Sequence, residues 1–182
     1  MKRGDQVTAG RFGPAAHQLV TGSADKTATL WDLRSQQPYK VQVFKHPDPL
    51  SDCFLVPGNR RLVTVHGSSI STWDLDQPSA PPSTMKHAAT INDAHLGPAG
   101  MLLATASKDR TAAIWNLATG DQVLRLQNHT TSVRDIDISP DGRWAVTAMA
   151  HPDDIHSSIM EVWDGETGDR LHPSTVIPGV VH

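Results

Sequence analysis

The stretch Thr105-Ala106-Ser107-Lys108-Asp109-Arg110-Thr111-Ala112-Ala113-Ile114-Trp115-Asn116 carries the reading of the whole chain. Within it, Thr111-Ala112-Ala113-Ile114-Trp115 is a short run bounded by turn residues, the form of a β-strand. A near copy stands earlier: Thr21-Gly22-Ser23-Ala24-Asp25-Lys26-Thr27-Ala28-Thr29-Leu30-Trp31-Asp32. In both copies Thr precedes Trp by ten residues and Asp precedes it by six. Working outward, two more indoles fall in phase, so that tryptophans stand at 31, 73, 115 and 163, with spacings of 42, 42 and 48. Three are followed by Asp (Asp32, Asp74, Asp164) and one by Asn116. A period in this range marks a repeat architecture.

Other positions keep the phase. Thr64 stands nine residues before Trp73, because the second repeat is one residue shorter, and Thr147 stands sixteen before Trp163, because the fourth is six longer. His87 precedes Trp115 by 28 residues, and His46 and His129 match it once the deletion and insertion are allowed for. Ser139-Pro140-Asp141-Gly142 aligns with Gly97-Pro98-Ala99-Gly100, with Gly13-Pro14-Ala15-Ala16 and, less well, with Val56-Pro57-Gly58-Asn59. Ala118-Thr119-Gly120 and Glu166-Thr167-Gly168 mark a later turn. Val133-Arg134-Asp135-Ile136-Asp137-Ile138 alternates apolar and polar residues, the period of a half-buried strand. The expected class is all-β, since no helical i, i+3, i+4 pattern persists.

Together these positions resemble the WD40 family, whose repeat runs about 40–45 residues and often closes on Trp-Asp. The resemblance covers essentially the whole chain. It implies WD40-type β-propeller blades, four four-stranded antiparallel sheets in an open arc or partial propeller. The expected blades are about 3–44, 45–86, 87–127 and 128–176, with the start of a fifth repeat at 177–182. That start rests on Val181, which lies as far past Trp163 as Val133 lies past Trp115. Seven blades are common in the family, so the chain reads as part of a longer propeller. A four-bladed ring, or two copies completing an eight-bladed one, is the alternative. The turns look like those of bacterial WD40 arrays.

The resemblance also implies a hydrogen-bond chain inside each blade, running from a turn Asp to His, then Thr or Ser, then Trp. The third repeat holds the full set: His87, Thr105, Asp109 and Trp115. The first keeps Thr21, Asp25 and Trp31, with Arg3 in the histidine position. The second keeps His46, Thr64 and Trp73, with Gly67 in the Asp position. The fourth keeps His129, Thr147 and Trp163, with Ser157 there instead. Ser23 and Ser107 compete for the hydroxyl role, because residues two apart on a strand share a face. In this context the histidines are structural rather than catalytic. Trp144, aligned with Leu102, is expected to pack, and Cys53 to point into a blade as a small apolar residue.

Composition narrows the function. A formal charge of −3 gives no basic stripe for nucleic acid. No apolar run reaches the roughly 18 residues of a membrane helix, and no secretion signal is seen. The single cysteine allows no internal disulfide, and the cytoplasm is the default location. No Gly-x-Ser-x-Gly elbow and no zinc-type Cys/His pairing occurs. Gly22–Thr27 lacks the second Gly of a phosphate loop, and Asn128-His129-Thr130 fits the glycosylation pattern only by overlapping a structural His. The expectation is therefore no catalytic residue, no metal and no cofactor.

What remains is a platform for other proteins or peptides, with association through open blade edges if the chain is a fragment. Residues opening each first strand, Thr8, Ser51, Asn92 and Arg134 with Asp135, are partner-contact candidates; a solvated strand end is the bland reading. The insertion His151-Pro152-Asp153-Asp154-Ile155-His156-Ser157 is another, carried on a rigid scaffold. Its bland reading is a tolerated surface loop, and its His and Asp residues match no established metal motif. The rival function is a docking part of a larger enzyme, such as a kinase or protease, whose catalytic domain lies elsewhere.

Overall fold

The computed structural model describes residues 6–58, 60–97 and 100–179. Arg3, Val181 and the turn residues Asn59, Pro98 and Ala99 lie outside them. Among the described residues there are sixteen strands and no α-helix. The first sheet holds β1 (Val7–Phe12), β2 (Gln18–Ser23), β3 (Thr27–Asp32) and β4 (Tyr39–Lys45). The second holds β5 (Leu50–Val56), β6 (Arg61–His66), β7 (Ser69–Asp74) and β8 (Ser83–Lys86). The third holds β9 (Ile91–Leu96), β10 (Leu102–Ser107), β11 (Ala112–Asn116) and β12 (Gln122–Leu126). The fourth holds β13 (Val133–Ile138), β14 (Trp144–Ala150), β15 (Ser157–Asp164) and β16 (Thr175–Pro178). Each sheet is an antiparallel meander in chain order. The fourth reaches past the expected boundary at 176, since Ile177 and Pro178 pair with Ser158 and Ser157 of the long strand β15.

Local chemistry sets the turns. Between β2 and β3, Asp25 Oδ1 accepts the Thr27 N–H at 2.9 Å and the Thr27 hydroxyl at 2.6 Å. Asp109 does the same for Thr111, at 2.9 and 2.6 Å. The deletion in the second repeat leaves only Gly67-Ser68 between the paired residues His66 and Ser69, and Gly67 takes φ 56°. A two-residue hairpin favours glycine at a positive φ, and this is the physical reason the turn Asp is absent there.

The chain forms two compact units, one ending at Lys86 and one beginning at His87. Each unit buries one face of its first sheet against the indole-bearing face of its second. In the first unit, Val20, Ala28, Leu30 and Phe44 meet Leu50, Cys53, Leu55 and Leu62, with the Phe44 and Trp73 rings 5.1 Å apart. Gly22 permits the close approach: a Cβ there would stand 3.3 Å from Leu50 Cβ. In the second unit, Ala104, Ala106 and Ile114 meet Ile136, Ile138 and Trp163. Cys53 is fully buried in the first core, and burial pushes its thiol up to about 12.

Two expectations need correction. The alternation of Val133–Ile138 breaks, because Arg134 and Asp135 are both exposed; a β-bulge interrupts pairing there. Trp144 is not packed but 42% exposed, with the Arg143 guanidinium over its ring. It shares a face with Val146 and Ala148, and that face of the fourth sheet is only partly covered, whereas Leu102 packs on the second core.

Candidate functional site

The candidate residues gather in two places: an indole–threonine relay inside each sheet, half-buried in the first and buried in the third and fourth, and the end of the sheet where its first strand starts. The relay is complete in the third sheet. Trp115 Nε1–H donates to Thr105 Oγ1 at 2.8 Å, and that oxygen lies 2.8 Å from His87 Nε2. His87 Nδ1 faces Asp109 Oδ2 at 3.1 Å, an oxygen that also accepts the Ala88 N–H. Nδ1 therefore carries the proton, and Nε2 accepts from the threonine hydroxyl. Burial alone would raise Asp109. Donation from Thr111 and Ala88, with His87 beside it, holds it down to about 2. Burial holds His87 below its usual value, against the pull of Asp109.

The other sheets keep the indole–threonine link and differ in the groups beyond it. Trp31, Trp73 and Trp163 donate to Thr21, Thr64 and Thr147 at 2.8, 3.2 and 2.9 Å. Asp25 stays within its own turn, bonding Thr27. His46 Nε2 lies 2.8 Å from Thr64 Oγ1, but its buried Nδ1 has no hydrogen-bond partner. A second buried imidazole, His66, stands beside it with ring centroids 5.0 Å apart. Burial, and then His66, press His46 down to about 4. In the fourth sheet His129 Nδ1 donates to the Arg110 carbonyl at 3.1 Å, and Nε2 lies 3.1 Å from Thr147 Oγ1. The carboxylate comes from a third strand: Glu161 Oε2 is 3.5 Å from His129, while its Oε1 accepts from Arg170 at 2.8 Å and Ser174 at 2.6 Å. Ser157, in the Asp position by alignment, instead donates to Asp154. Ser23 and Ser107 do not take the indole; they bond the backbone of the segment before the first strand, at Gln6 and at Ala89 and Thr90.

At the strand starts the four sheets agree in one respect. Register breaks between Val7 and Ala9, Leu50 and Asp52, Ile91 and Asp93, and Val133 and Asp135. The extra residues are Thr8, Ser51, Asn92 and Arg134. A bulge re-aims side chains and ends regular pairing. Thr8, Ser51 and Arg134 are exposed, whereas Asn92 is half-buried and donates to Ser132 Oγ at 3.0 Å and Val133 O at 2.6 Å. Asp135 is exposed beside Asp93, whose carboxyl burial, and then Asp135, raise to about 6.

The sequence matches the family described as "WD domain, G-beta repeat" over residues 3–32, 80–116 and 120–164. The chain belongs to the WD40 family. A nuclear distribution protein PAC1 of Coccidioides posadasii is 30% identical over 88% of this chain and 36% of its own length. A target of rapamycin complex subunit LST8 of Bos taurus is 28% identical, covering 72% and 43%. A U3 small nucleolar RNA-associated protein 15 homolog of Gallus gallus is 26% identical, covering 73% and 25%. The chain thus spans between a quarter and under half the length of these relatives.

The WD40 matches leave out residues 33–79, most of the second repeat, which holds the shortened turn and the His46–His66 pair. Sequence reasoning missed His66, Asp48, Glu161, Arg170 and Ser174. Asp48 fills the space at Gly67, its Oδ2 3.0 Å from where a Cβ would stand, and lies 3.9 Å from His66 Nδ1. A signal for Glu161 existed: Thr29, Ser71 and Ala113 pair with the relay threonines, and Glu161 pairs with Thr147 in the same way. A long carboxylate at a small-residue position is a departure worth tracing.

The WD40 insertion forms an ordered turn at the end of the fourth sheet where β13 also starts. His151 Nδ1 accepts the Asp153 N–H at 3.2 Å, Asp154 accepts from His156 N and Ser157 Oγ, and the His156 carbonyl accepts from Gly179. Ile155, at its tip, is 81% exposed. Among the described residues no group of three His, Cys, Asp or Glu side chains could hold a metal ion, and no helix is long and apolar enough to cross a membrane.

Proposed function

We propose that this chain is a non-catalytic platform for binding other proteins or peptides, working in the cytoplasm. The observation that carries it is the repeated bulge. All four sheets place an irregular residue at the start of the first strand, where ladder pairing no longer dictates side-chain direction. Such ends, with the loops beside them, hold contact residues on a stiff support. In the fourth sheet the two features coincide: Arg134 and Asp135 start β13, and the insertion adds an exposed Ile155 between Asp154 and His156. Arginine is a residue type enriched at binding centres, which makes Arg134 the leading contact candidate at this end of the sheet. Asn92 serves differently, fastening β9 to the segment before β13.

The buried relays support the platform rather than act on substrate. Every relay histidine with a described ring is buried and spends Nε2 on a threonine hydroxyl. The test is partner recovery with the intact chain, with Arg134→Ala, and with 151–156 replaced by a three-residue turn. Loss of the same partner in both variants, with fold retained by circular dichroism, is the expected result. A partner held equally by all three forms rejects the reading.

A further inference from the structure

The joint between the two sheets of the first unit departs from its counterpart in the second. In the second unit, Leu102, which pairs with Asn116, and Leu124, which pairs with Ile114, pack on the shared core. The same places in the first unit are held by Gln18, paired with Asp32, and Gln42, paired with Leu30. Both glutamines are half-buried and line a cleft of about 530 Å³. The apolar part of its lining includes Leu30 and Phe44 from the first sheet and Leu55 from the second. Two leucines packed on a core in one unit are two amides around a space in the other. Both walls of the cleft lie among the described residues.

Charge decides what the cleft suits. Arg34, Arg60 and Arg61 line it, with Asp32 as the carboxylate among the lining residues, in a chain whose formal charge is −3. Asp32 is buried and already neutralised, with Arg34 Nε 2.9 Å from its Oδ2. Arg60 Nε meets Asp76 Oδ1 at 2.9 Å, but both side chains are more than half exposed, and water screens a pair of that kind. The cleft therefore presents net positive charge beside apolar surface, with amides that both donate and accept hydrogen bonds. Cavities of roughly 300–1,000 Å³ with an apolar lining and a few polar groups are the usual form of a ligand site. This one lies where β1 runs into β2 and β5 into β6, at the ends of β1 and β5 opposite their bulged starts.

We propose that this cleft binds an acidic peptide segment of a partner protein, seating a leucine-sized side chain against Leu30, Phe44 and Leu55 and setting its flanking carboxylates against Arg60 and Arg61. Guanidinium and carboxylate pair through two parallel hydrogen bonds, which fixes direction as well as adding attraction. Gln18 and Gln42 take the backbone groups of the segment, since each amide offers both a donor and an acceptor. A basic segment is repelled, and a purely apolar one gives the arginines nothing to hold. The inference rests on the platform reading above and adds a second contact surface with the chemistry it selects.

Fluorescence anisotropy with the whole chain and a labelled peptide, Asp-Glu-Leu-Leu-Asp-Glu, tests this. The expected result is saturable binding that weakens as salt rises. The counterparts Lys-Lys-Leu-Leu-Lys-Lys and Asp-Glu-Ser-Ser-Asp-Glu are each bound about tenfold more weakly or worse. Arg60→Glu reverses an exposed charge and lowers affinity by about tenfold or more. Gln42→Leu copies Leu124, fills the cleft, raises the urea midpoint and abolishes binding; Gln18→Leu, copying Leu102, is the second filled form should the first fail to fold. Arg134→Ala leaves peptide affinity unchanged, so the cleft and the strand-start surface stand or fall separately. Absence of saturable binding overturns the proposal, as does full affinity in Arg60→Glu or in a folded filled form. N-acetylleucine bound as tightly as the peptide overturns it too.

Discussion

The second and third repeats settle a buried imidazole in opposite ways. In the third, His87 offers Nδ1–H to the Asp109 carboxylate and Nε2 to Thr105, so both ring nitrogens are occupied and the charge beside the ring is negative. In the second, the shortened turn has no Asp, His46 Nδ1 is left without a partner, and the neighbour is another imidazole. The indole, threonine and histidine are the same in both. Burial and a neighbouring imidazole, where the third repeat has a carboxylate, therefore set how the second repeat answers acid.

Acid should separate them most. His46 is held near 4 in the folded chain against 6.5 for a free imidazole, so between those values the unfolded chain binds more protons. Its contribution is whole above pH 6.5 and falls as pH drops toward 4, by roughly 3 kcal/mol. Asp109, depressed to about 2, keeps its contribution until pH falls below its unfolded value of 3.8. Hydrogen exchange at the Trp73 indole is therefore expected to accelerate between pH 6.5 and 4.5 more than at Trp115. His66→Gln should flatten that slope, and equal acceleration at both indoles would break the comparison.

The next effect is at the shared threonine. Thr105→Val strips a partner from both Trp115 and His87 in a buried site, costing about 2–3 kcal/mol. Thr21→Val touches only the half-buried Trp31 and should cost under about 1 kcal/mol. Urea denaturation of the two variants measures the difference. Glu161→Gln keeps an acceptor for Arg170 and Ser174 but removes the charge facing His129. It should cost about 1–2 kcal/mol and move the His129 titration further down, as read by imidazole NMR. Smallest is Ser107→Ala, which frees only the Asp109 N–H and the carbonyls of Ala89 and Thr90 near the surface, about 0.5–1 kcal/mol.

Much of this was readable from residues. Four indoles in phase located four sheets, and the threonines nine to sixteen residues upstream are the indole acceptors. Strand starts were legible too, since apolar runs come after turn residues there. The bulges were not, because Val133–Ile138 reads as unbroken alternation while the extra residue shifts the faces. Nor were the partners of the odd histidines. Asp48 lies two residues past His46 and nineteen before Gly67, and Arg170 reaches Glu161 across the β15–β16 connection. Spacing cannot announce such contacts, because they depend on how a loop folds back over a sheet.

The division has a physical basis. Period, turn residues and strand pattern are local properties, and the sequence alone was enough for the four repeats and their strands, while the indole–threonine links came in as what the family resemblance implies. Burial is a property of what lies opposite. Leu102 and Trp144 occupy one place in the repeat, yet one is packed and the other 42% open, because only one of their sheets has another of its unit laid over that face. That outcome, like the unpartnered Nδ1 of His46, was decided by tertiary packing, where surfaces from distant parts of the chain either meet or do not.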